Sequence, residues 1–195
     1  MELHPSMIRE LISQWRHLSI ISLTHSYHFL KEKMMKYKGL SKKQLLEIYR
    51  KMALSRYLDD KQLILLKQGK GFFHIGCAGH EAAGIAAALS FKPGFDFAYP
   101  YYRDQAFCLG WGMTCRDHLL AFLAKEEDPS SGGRQMPQHY GHKELNIVSQ
   151  SSPTGTQFLQ AVGAGFALQR NGEKAVVYVS SGEGTSSQGD FHEAL

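Results

Sequence analysis

The sequence feature that most constrains the fold is a short apolar run that ends in a glycine-rich loop. Residues 175–179 read AVVYV, and SSGEG follows them directly at 180–184. A continuous apolar run of this length is typical of a strand buried in a parallel sheet. Helical patterns stand on either side, at 156–169 and from about residue 187. This order predicts an α/β fold with an open parallel sheet and flanking helices.

The loop at Gly182-Glu183-Gly184 stands where such a sheet binds ligands, at the carboxyl end of a strand. Its glycines let the backbone approach an anion closely. Its carboxylate suits a hard cation such as Mg²⁺, which favours oxygen ligands together with phosphate oxygens. From this tripeptide alone, an ordinary strand-to-helix turn remains an open alternative.

The residues before this unit predict several more elements. Apolar residues at helical spacing predict a helix from Ser41 to about Lys67, and an alanine-rich stretch whose small residues permit close packing predicts another. Thr114 and Asp117 form a capping-box signature ahead of a third helix. The predicted segments are an alanine-rich helix at 80–90, a turn at 91–97, an extended segment at 98–103, a helix at 119–124, a long surface loop at 125–150 and a turn at 151–155.

Charge and composition divide the chain into two parts. Residues 1–43 carry a net charge of +5, whereas residues 44–195 carry −1, so no basic surface remains to follow a nucleic-acid backbone. We therefore expect an N-terminal arm or extension at 1–40 and the start of a folded domain at 41–195. No uninterrupted apolar stretch long enough for a membrane-spanning helix is present.

Cysteine usage and the first residues bear on the cellular compartment. The chain has three cysteines without a paired or metal-binding spacing, and no signal peptide is evident after Met1. These features predict reduced thiols in the bacterial cytoplasm, with the mitochondrial matrix as the alternative.

Five segments in a fixed order carry a resemblance to a known family. They read GFFHIGCAGHEA, YPYYRD, GRQMPQHYG, SSPTGTQFLQAVGAG and SSGEGTSSQGDFHEAL. Over roughly residues 40–195 the chain resembles the alpha chain of the thiamine-diphosphate-dependent decarboxylating component of 2-oxo acid dehydrogenase complexes. The branched-chain type is the most similar. The resemblance implies the thiamine-diphosphate-binding fold, and it implies thiamine diphosphate and Mg²⁺ as cofactors.

The same resemblance assigns cofactor contacts to individual residues. Arg103 is implied as a donor to the diphosphate, and Glu183 as a ligand of Mg²⁺. The residues implied to bind the cofactor are Tyr102, Arg103, Ser152, Thr154, Gly182, Glu183, Gly184 and Thr185. A potassium site of branched-chain members is implied at Ser151, Pro153, Thr156 and Gln157.

Substrate and catalytic roles are implied as well. Phe73, His74 and Tyr102 match positions of the pocket for the 2-oxo acid, where an aromatic wall suits an aliphatic side chain. His139 lies in the GRQMPQHYG loop, which faces the active-site channel in relatives, and it is the candidate catalytic residue.

The implied activity is the oxidative decarboxylation of branched-chain 2-oxo acids, with acyl transfer to a lipoyl group on a partner acyltransferase. A beta chain, separate or fused, completes the cofactor site in a heterotetramer. Two alternatives stay open: a pyruvate or acetoin dehydrogenase alpha chain, and a non-catalytic binding or assembly module that has lost its metal site. The sequence stops 12 residues after Glu183, before the Asn that supplies the second magnesium ligand in the family. We therefore expect an N-terminal fragment whose fold is incomplete at the C-terminus and which is inactive alone.

Overall fold

The structure, a computed structural model, describes residues 39–195. The chain divides into two units, 1–45 and 46–195. In the first unit, Ser41 and Gln44 form a reciprocal cap: Gln44 N donates to Ser41 Oγ over 3.3 Å, and Ser41 N donates to Gln44 Oε1 over 2.8 Å. This pair begins helix α1, as the sequence predicts. Residues 1–38 of the arm predicted at 1–40 lie outside the described residues, and the boundary at 40/41 stays a prediction.

Helices dominate the described residues, and two short strands lie among them. The elements are α1 (Lys42–Lys67), α2 (Glu81–Ala88), β1 (Phe97–Tyr99), α3 (Gln105–Trp111), α4 (Cys115–Phe122), α5 (Thr156–Arg170), β2 (Val177–Val179) and α6 (Gly189–Ala194), with 3-10 turns at Lys143–Leu145 and Glu183–Ser187. The capping box that the sequence predicts is present at the start of α4, between Thr114 and Asp117.

The two strands pair in parallel, which confirms the predicted α/β class. Phe97 pairs with Val177 and Tyr99 with Val179, so both strands end at the same edge of the sheet. The extended segment predicted at 98–103 is strand only as far as Tyr99. The chain then turns, with Asp104 N donating to Tyr101 O over 2.9 Å, and enters α3.

Strand β2 is less buried than its apolar sequence predicts. All three of its residues are half-buried, and the adjacent Val176 is 52% exposed. Within residues 39–195 the sheet has two strands, so β2 has a strand neighbour on one side only. An apolar run indicates that a strand can be buried, but the burial it reaches depends on how many strands and helices pack against it.

Small residues bring α2 and α3 into close contact, as the alanine-rich sequence predicts for α2. A Cβ atom on Gly84 would lie 2.8 Å from the Phe107 backbone nitrogen, and one on Gly110 would lie 2.7 Å from Ala88 Cβ. Helix α3 itself is missed by the sequence analysis. Six of its seven residues are buried, so it has no polar face to give a helical period.

Aromatic stacking anchors β2 to α3. The Phe107 and Tyr178 rings stack with centroids 4.2 Å apart, and the Phe107 and Trp111 rings lie 5.0 Å apart. Trp111 Nε1 donates to Leu145 O over 2.8 Å, which ties this core to the loop before α5. The core therefore packs against both strands, through Ala98 of β1 and Tyr178 of β2.

The segment predicted as a long surface loop is partly buried, so that prediction is wrong for its central part. Residues 137–141 are all buried, and His142 and Ile147 exchange backbone hydrogen bonds of 2.9 and 3.0 Å. The Asp128 carboxylate accepts from the backbone of Ser130 and Gly133 over 3.0 and 3.2 Å. These bonds satisfy the backbone polar groups that would otherwise prevent a loop from being buried.

Within the second unit, helix α1 buries three polar residues and one apolar residue, Ser55, Asp59, Gln62 and Leu58. Ser55 and Gln62 are each 1% exposed, whereas Tyr49 and Tyr57 are 69% and 72% exposed. Of the apolar face predicted from the sequence, Tyr49 is exposed, whereas Leu45, Ile48, Met52 and Ala53 are half-buried. Within the described residues, no helix combines the length and the apolar character needed to cross a membrane.

Candidate functional site

The candidate site forms where β1 and β2 end side by side. Tyr101 N donates to Ser180 Oγ over 2.9 Å, and Ser180 N donates to Tyr99 O over 3.4 Å. These bonds join the chain that leaves β1 to the chain that leaves β2. The two motifs YPYYRD and SSGEG thus meet at one edge of the sheet, as expected for a parallel α/β sheet.

A buried carboxylate underlies this junction. Asp104 accepts hydrogen bonds from the Ser180 hydroxyl, from Tyr101 N over 3.3 Å and from the Tyr178 hydroxyl over 3.4 Å. Burial raises the pKa of Asp104 above its ordinary value, and the Ser180 hydrogen bond opposes that rise. The sequence analysis did not single out Asp104. Its position directly after the predicted Tyr-Arg pair is the signal that points to it.

Gly182 is required by the tyrosine packed against it. A Cβ atom at residue 182 would lie 2.9 Å from the Tyr101 hydroxyl, and the Tyr101 side chain is buried. The Tyr101 and Tyr102 rings in turn lie 4.0 Å apart. The glycine predicted to bind the cofactor and the predicted cofactor tyrosine therefore belong to one packed cluster.

Arg103 lies at the mouth of the same edge and is half-buried. Its guanidinium lies 5.4 Å from the centre of the Tyr102 ring, and its Nη1 donates to Gly76 O over 2.6 Å. That bond brings the aromatic loop at 71–76 to the carboxyl ends of the strands. A guanidinium held by one carbonyl keeps further donors for an anionic ligand.

The loop after β2 leaves one carboxylate, that of Glu183, exposed. Thr185 is buried, with its N donating to Gly182 O over 3.0 Å and its Oγ1 accepting from Ser181 Oγ over 2.6 Å. Glu183 and Gly184 are exposed. The described part of the chain contains no cluster of three or more His, Cys, Asp or Glu side chains that would hold a metal by itself. A lone carboxylate fits Mg²⁺ that takes its remaining ligands from phosphate oxygens and water.

The turn before α5 packs against this loop. Gln157 Nε2 donates to Ser180 O over 3.2 Å, and its Oε1 accepts from Gly155 N over 3.2 Å. Gly155 has a φ of 106°, and a Cβ there would lie 3.3 Å from Thr185 Cγ2. The backbone conformation favours glycine at residue 155, and the close approach leaves little room for a side chain there.

Three of the four residues predicted for a potassium site converge. The Ser151 and Thr156 hydroxyls are in hydrogen-bond contact, and Thr156 Oγ1 donates to Pro153 O over 3.2 Å. Gln157 lies beside them, with its amide engaged by Gly155 and Ser180. A cluster of neutral oxygens of this kind fits a large monovalent cation.

The candidate catalytic histidine is bound to a residue of the predicted cofactor site. His139 Nε2 lies 2.9 Å from Ser152 Oγ, and His139 Nδ1 lies 3.3 Å from Pro137 O. A carbonyl only accepts, so the Nδ1 contact favours the tautomer with its proton on Nδ1. Ser152 then donates to Nε2. His139 is buried, and Ser152 and Thr154 are exposed.

The two residues predicted for the substrate pocket lie in different surroundings. Phe73 is 39% exposed. The His74 side chain is buried, with Nε2 3.4 Å from Asp59 Oδ1 and its ring edge-on to Phe122 at 6.2 Å. Its Nδ1 has no hydrogen-bond partner among residues 39–195. The structure thus brings His74 against α1 and α4, and it shows no contact between His74 and the edge of the sheet.

Gln138 is a second residue that the sequence analysis missed. Its side-chain amide exchanges two hydrogen bonds with the Ile75 backbone, at 2.8 and 2.5 Å, and its Nε2 lies 3.1 Å from Cys77 Sγ. The adjacent Tyr140 hydroxyl donates to Tyr102 O over 3.1 Å. The 137–140 segment therefore links the aromatic loop to the Tyr-Arg pair. No local pattern signals this, because both partners of Gln138 lie more than 60 residues away.

Cys77 takes part in these contacts, and its thiol has low reactivity. It is 2% exposed, and its Sγ lies 3.9 Å from Tyr102 O. Burial raises the pKa of the Cys77 thiol to about 12, and the Asp59 charge adds to the rise. A thiol in this state is a weak nucleophile at neutral pH.

The structure is that of an α/β protein whose candidate site residues meet at the carboxyl ends of two parallel strands. The chain belongs to the dehydrogenase E1 component family, whose model matches residues 49–195. Enzymes of this family are thiamine-diphosphate-dependent oxidoreductases.

Curated relatives agree with the family match. The chain is 43% identical over 155 residues to the 2-oxoisovalerate dehydrogenase subunit alpha of Bacillus subtilis, covering 80% of this chain and 47% of that protein. It is 36% identical over 156 residues to the Pseudomonas aeruginosa protein of the same name, covering 80% of this chain and 38% of the relative. A pyruvate dehydrogenase E1 component subunit alpha of Staphylococcus aureus is 33% identical, covering 80% of this chain and 39% of the relative. The chain thus spans less than half the length of these relatives.

Proposed function

We propose that this chain is part of the alpha subunit of a branched-chain 2-oxo acid dehydrogenase and forms the alpha half of a thiamine diphosphate site. The observation that carries the proposal is the meeting of the Tyr-Arg pair, the Ser151–Gln157 turn and the Gly182–Thr185 loop at the carboxyl ends of two parallel strands. Each is a segment of the family motif, and their convergence needs the fold as well as the sequence.

The residues of this edge divide the work of binding the cofactor. Arg103 donates to the diphosphate, and Tyr102 packs beside it. Glu183 ligates Mg²⁺, while the backbone of Gly182 and Gly184 approaches the phosphate oxygens. Ser151, Pro153, Thr156 and Gln157 hold a potassium ion that stiffens the turn carrying Ser152 and Thr154. Thiamine diphosphate held by these residues would supply the chemistry for decarboxylating a 2-oxo acid.

His139 contributes through its ring orientation and its proton. The Pro137 carbonyl and the Ser152 hydroxyl fix both ring nitrogens. In the Nδ1–H tautomer, Nε2 is unprotonated and accepts a hydrogen bond from the Ser152 hydroxyl. A ligand in the channel would replace Ser152 as the partner of Nε2, so that His139 exchanges a proton with it there.

Phe73 and Tyr102 give the substrate pocket an aromatic wall, which suits a branched aliphatic chain. His74, which the resemblance implies for the carboxylate of the 2-oxo acid, lies against Asp59 and Phe122, so that role stays a prediction. The relatives named for 2-oxoisovalerate support this substrate over pyruvate, which stays the second candidate with acetoin. A beta chain completes the site in a heterotetramer, and a lipoyl-bearing acyltransferase receives the acyl group.

The proposal is tested by the full-length gene product co-expressed with its beta chain and assayed with thiamine diphosphate and Mg²⁺. We expect kcat/KM for 3-methyl-2-oxobutanoate to exceed that for pyruvate by at least about tenfold, since added methylenes in an apolar pocket give this order of discrimination. A reversed ratio would assign the protein to the pyruvate type. No decarboxylation of either acid, with no cofactor bound, would favour the non-catalytic module.

An arginine pair provides the internal control. Arg103→Met removes the proposed diphosphate donor, and we expect the concentration of thiamine diphosphate needed for half-maximal activity to rise by about tenfold or more. Arg116→Met removes an exposed arginine of α4 and leaves that concentration unchanged. Equal responses of the two variants would contradict the assignment of Arg103.

A further inference from the structure

A small cavity lies beneath the loop that carries His139. Its volume is about 10 Å³, counted as room for the centre of one water molecule. Gln62 of α1, His118 of α4, Ser130 and the Pro137–Tyr140 segment line it. A cavity takes up an ordered water when it offers roughly this volume together with two to four polar partners.

Two of the polar atoms around this cavity lack partners within residues 39–195. Gln62 is 1% exposed and His118 is 3% exposed. Gln62 Oε1 and His118 Nε2 are buried, and neither has a hydrogen-bond partner within residues 39–195. Ser130 Oγ accepts from Gly141 N over 3.1 Å, which leaves its own proton to donate. Two such acceptors and one donor match the hydrogen-bonding capacity of a single water.

We propose that this cavity is the site of one structural water molecule, which accepts from Ser130 and donates to Gln62 Oε1 and His118 Nε2. The arrangement requires His118 in the Nδ1–H tautomer. Neutral His118 fits it, because burial lowers the pKa of this imidazole to about 4. Buried polar groups in native proteins are satisfied, and a water is the partner that fits the volume here.

The water stabilises the position of the 137–140 segment by linking the residues packed beneath it. Its three partners come from α1, α4 and residue 130, whereas the segment above it carries the Gln138 amide and the His139 ring. The His118 ring also meets the Tyr140 ring edge-on at 5.4 Å. Gln62 and His118 are therefore positioning residues: the water joins them to Ser130, whose hydroxyl accepts from Gly141 N directly after the segment that carries His139. The water itself does not depend on the proposed function, but its effect on turnover does.

A high-resolution crystal structure of the full-length protein in complex with its beta chain tests the water directly. We expect one density peak within hydrogen-bond reach of Gln62 Oε1, His118 Nε2 and Ser130 Oγ in the wild type. The peak should be absent in Gln62→Leu. An empty or collapsed cavity in the wild type overturns the water site and leaves the proposed function untouched.

Kinetics test the positioning role. Gln62→Leu and the milder Ser130→Ala are each expected to lower kcat by about threefold to tenfold, in the range of coupled contacts. In a His139→Gln background the same changes should have no further effect on kcat. A loss of equal size in both backgrounds would show that these residues act only on stability, and it would overturn the positioning role. If the wild-type complex contains the water but decarboxylates neither 2-oxo acid, the proposed function is overturned instead.

A control pair guards against general destabilisation. His142 also has a buried Nδ1 without a partner among the described residues, but it does not line this cavity. Gln62→Leu and His118→Leu should be non-additive, changing the unfolding equilibrium constant together by at least about threefold less than the product of the single effects. Gln62→Leu and His142→Leu should be additive. Additive behaviour in the first pair contradicts a shared water.

Discussion

Ser152 Oγ lies 2.9 Å from His139 Nε2 and so joins the turn before α5 to the GRQMPQHYG loop. Both residues were singled out from the sequence, but for different roles. The contact makes them one unit, in which a change to Ser152 reaches the imidazole.

Removal of the serine hydroxyl tests this unit. Ser152→Ala leaves His139 Nε2 without its partner, and we expect kcat to fall by about tenfold, less than the hundredfold or greater loss expected for His139→Ala, which removes the acid–base group itself. The double variant should be no slower than His139→Ala. Steady-state kinetics of the full-length enzyme with its beta chain provide the measurement, and independent, multiplying effects would contradict the unit.

Gly182 should tolerate no side chain. Gly182→Ala places a methyl 2.9 Å from the buried Tyr101 hydroxyl, so either the ring or the loop must shift. We expect thiamine diphosphate affinity to fall by about tenfold or more, since the shift displaces the phosphate-facing backbone. Gly189→Ala is the matched control, because a Cβ there meets only Glu193 Oε1 at an ordinary 3.8 Å. Calorimetric titration of the cofactor into both variants should separate them. Equal affinities would refute the packing argument.

Gln138 should keep the Cys77 thiol inaccessible to solvent and to thiol reagents. Gln138→Val removes the bonds to the Ile75 backbone and the contact with Cys77 Sγ, and it leaves Ile75 N and O without these partners. We expect maleimide labelling of Cys77 at neutral pH to rise by about tenfold, because local opening both exposes the thiol and lowers its burial-raised pKa. Cys108 is fully buried and lies outside this clamp, so its labelling should stay unchanged. Labelling can be followed by peptide mass spectrometry. No change at Cys77 would show that the loop is held by other contacts.

His118 should make stability depend on pH between about 6.5 and 4. Burial lowers its pKa to about 4, so its contribution is fully present above the ordinary value of 6.5 and is lost as pH falls toward 4. The full difference corresponds to about 3 kcal/mol. Asp117 on the same helix raises the pKa and reduces this effect, while His139 and Tyr140 are the ionisable groups that face His118 across the cavity.

His118→Gln keeps a polar group but does not titrate, so it should flatten the dependence of the unfolding midpoint on pH in that window. Thermal unfolding of the full-length assembly from pH 7 to pH 4 provides the comparison. Parallel curves for the wild type and the variant would contradict the assignment of this pH dependence to His118.

The sequence predicts the fold class and the edge of the sheet where the site residues meet, because both follow from the order of elements along the chain. The apolar run before Gly182 and the small residues of α2 report directly on strand pairing and on close helix contact. Helix α3 and Gln138 escape such reasoning for a physical reason. Helix α3 is buried on nearly every side and has no period, and Gln138 gains its role from Ile75, a partner distant in sequence.

The apolar face of α1 shows the opposite limit. Periodicity places Tyr49 on one face with apolar neighbours that are only half-buried, whereas the polar residues Ser55, Asp59 and Gln62 are buried. The Asp59 carboxylate accepts from Cys77 N, and the Ser55 backbone carbonyl accepts from Gln105 Nε2. Polar side chains with specific partners are buried as readily as apolar ones. Hydropathy alone does not identify them.

The most direct test of the account is a crystal structure of the full-length protein with its beta chain, thiamine diphosphate and Mg²⁺. The account predicts the diphosphate against the Gly182–Thr185 loop, with Arg103 donating to it and Glu183 on the metal. The Ser152–His139 contact should lie on the substrate side of the cofactor. A diphosphate bound away from the carboxyl ends of β1 and β2, with Arg103 still on Gly76 and Glu183 in solvent, would contradict it.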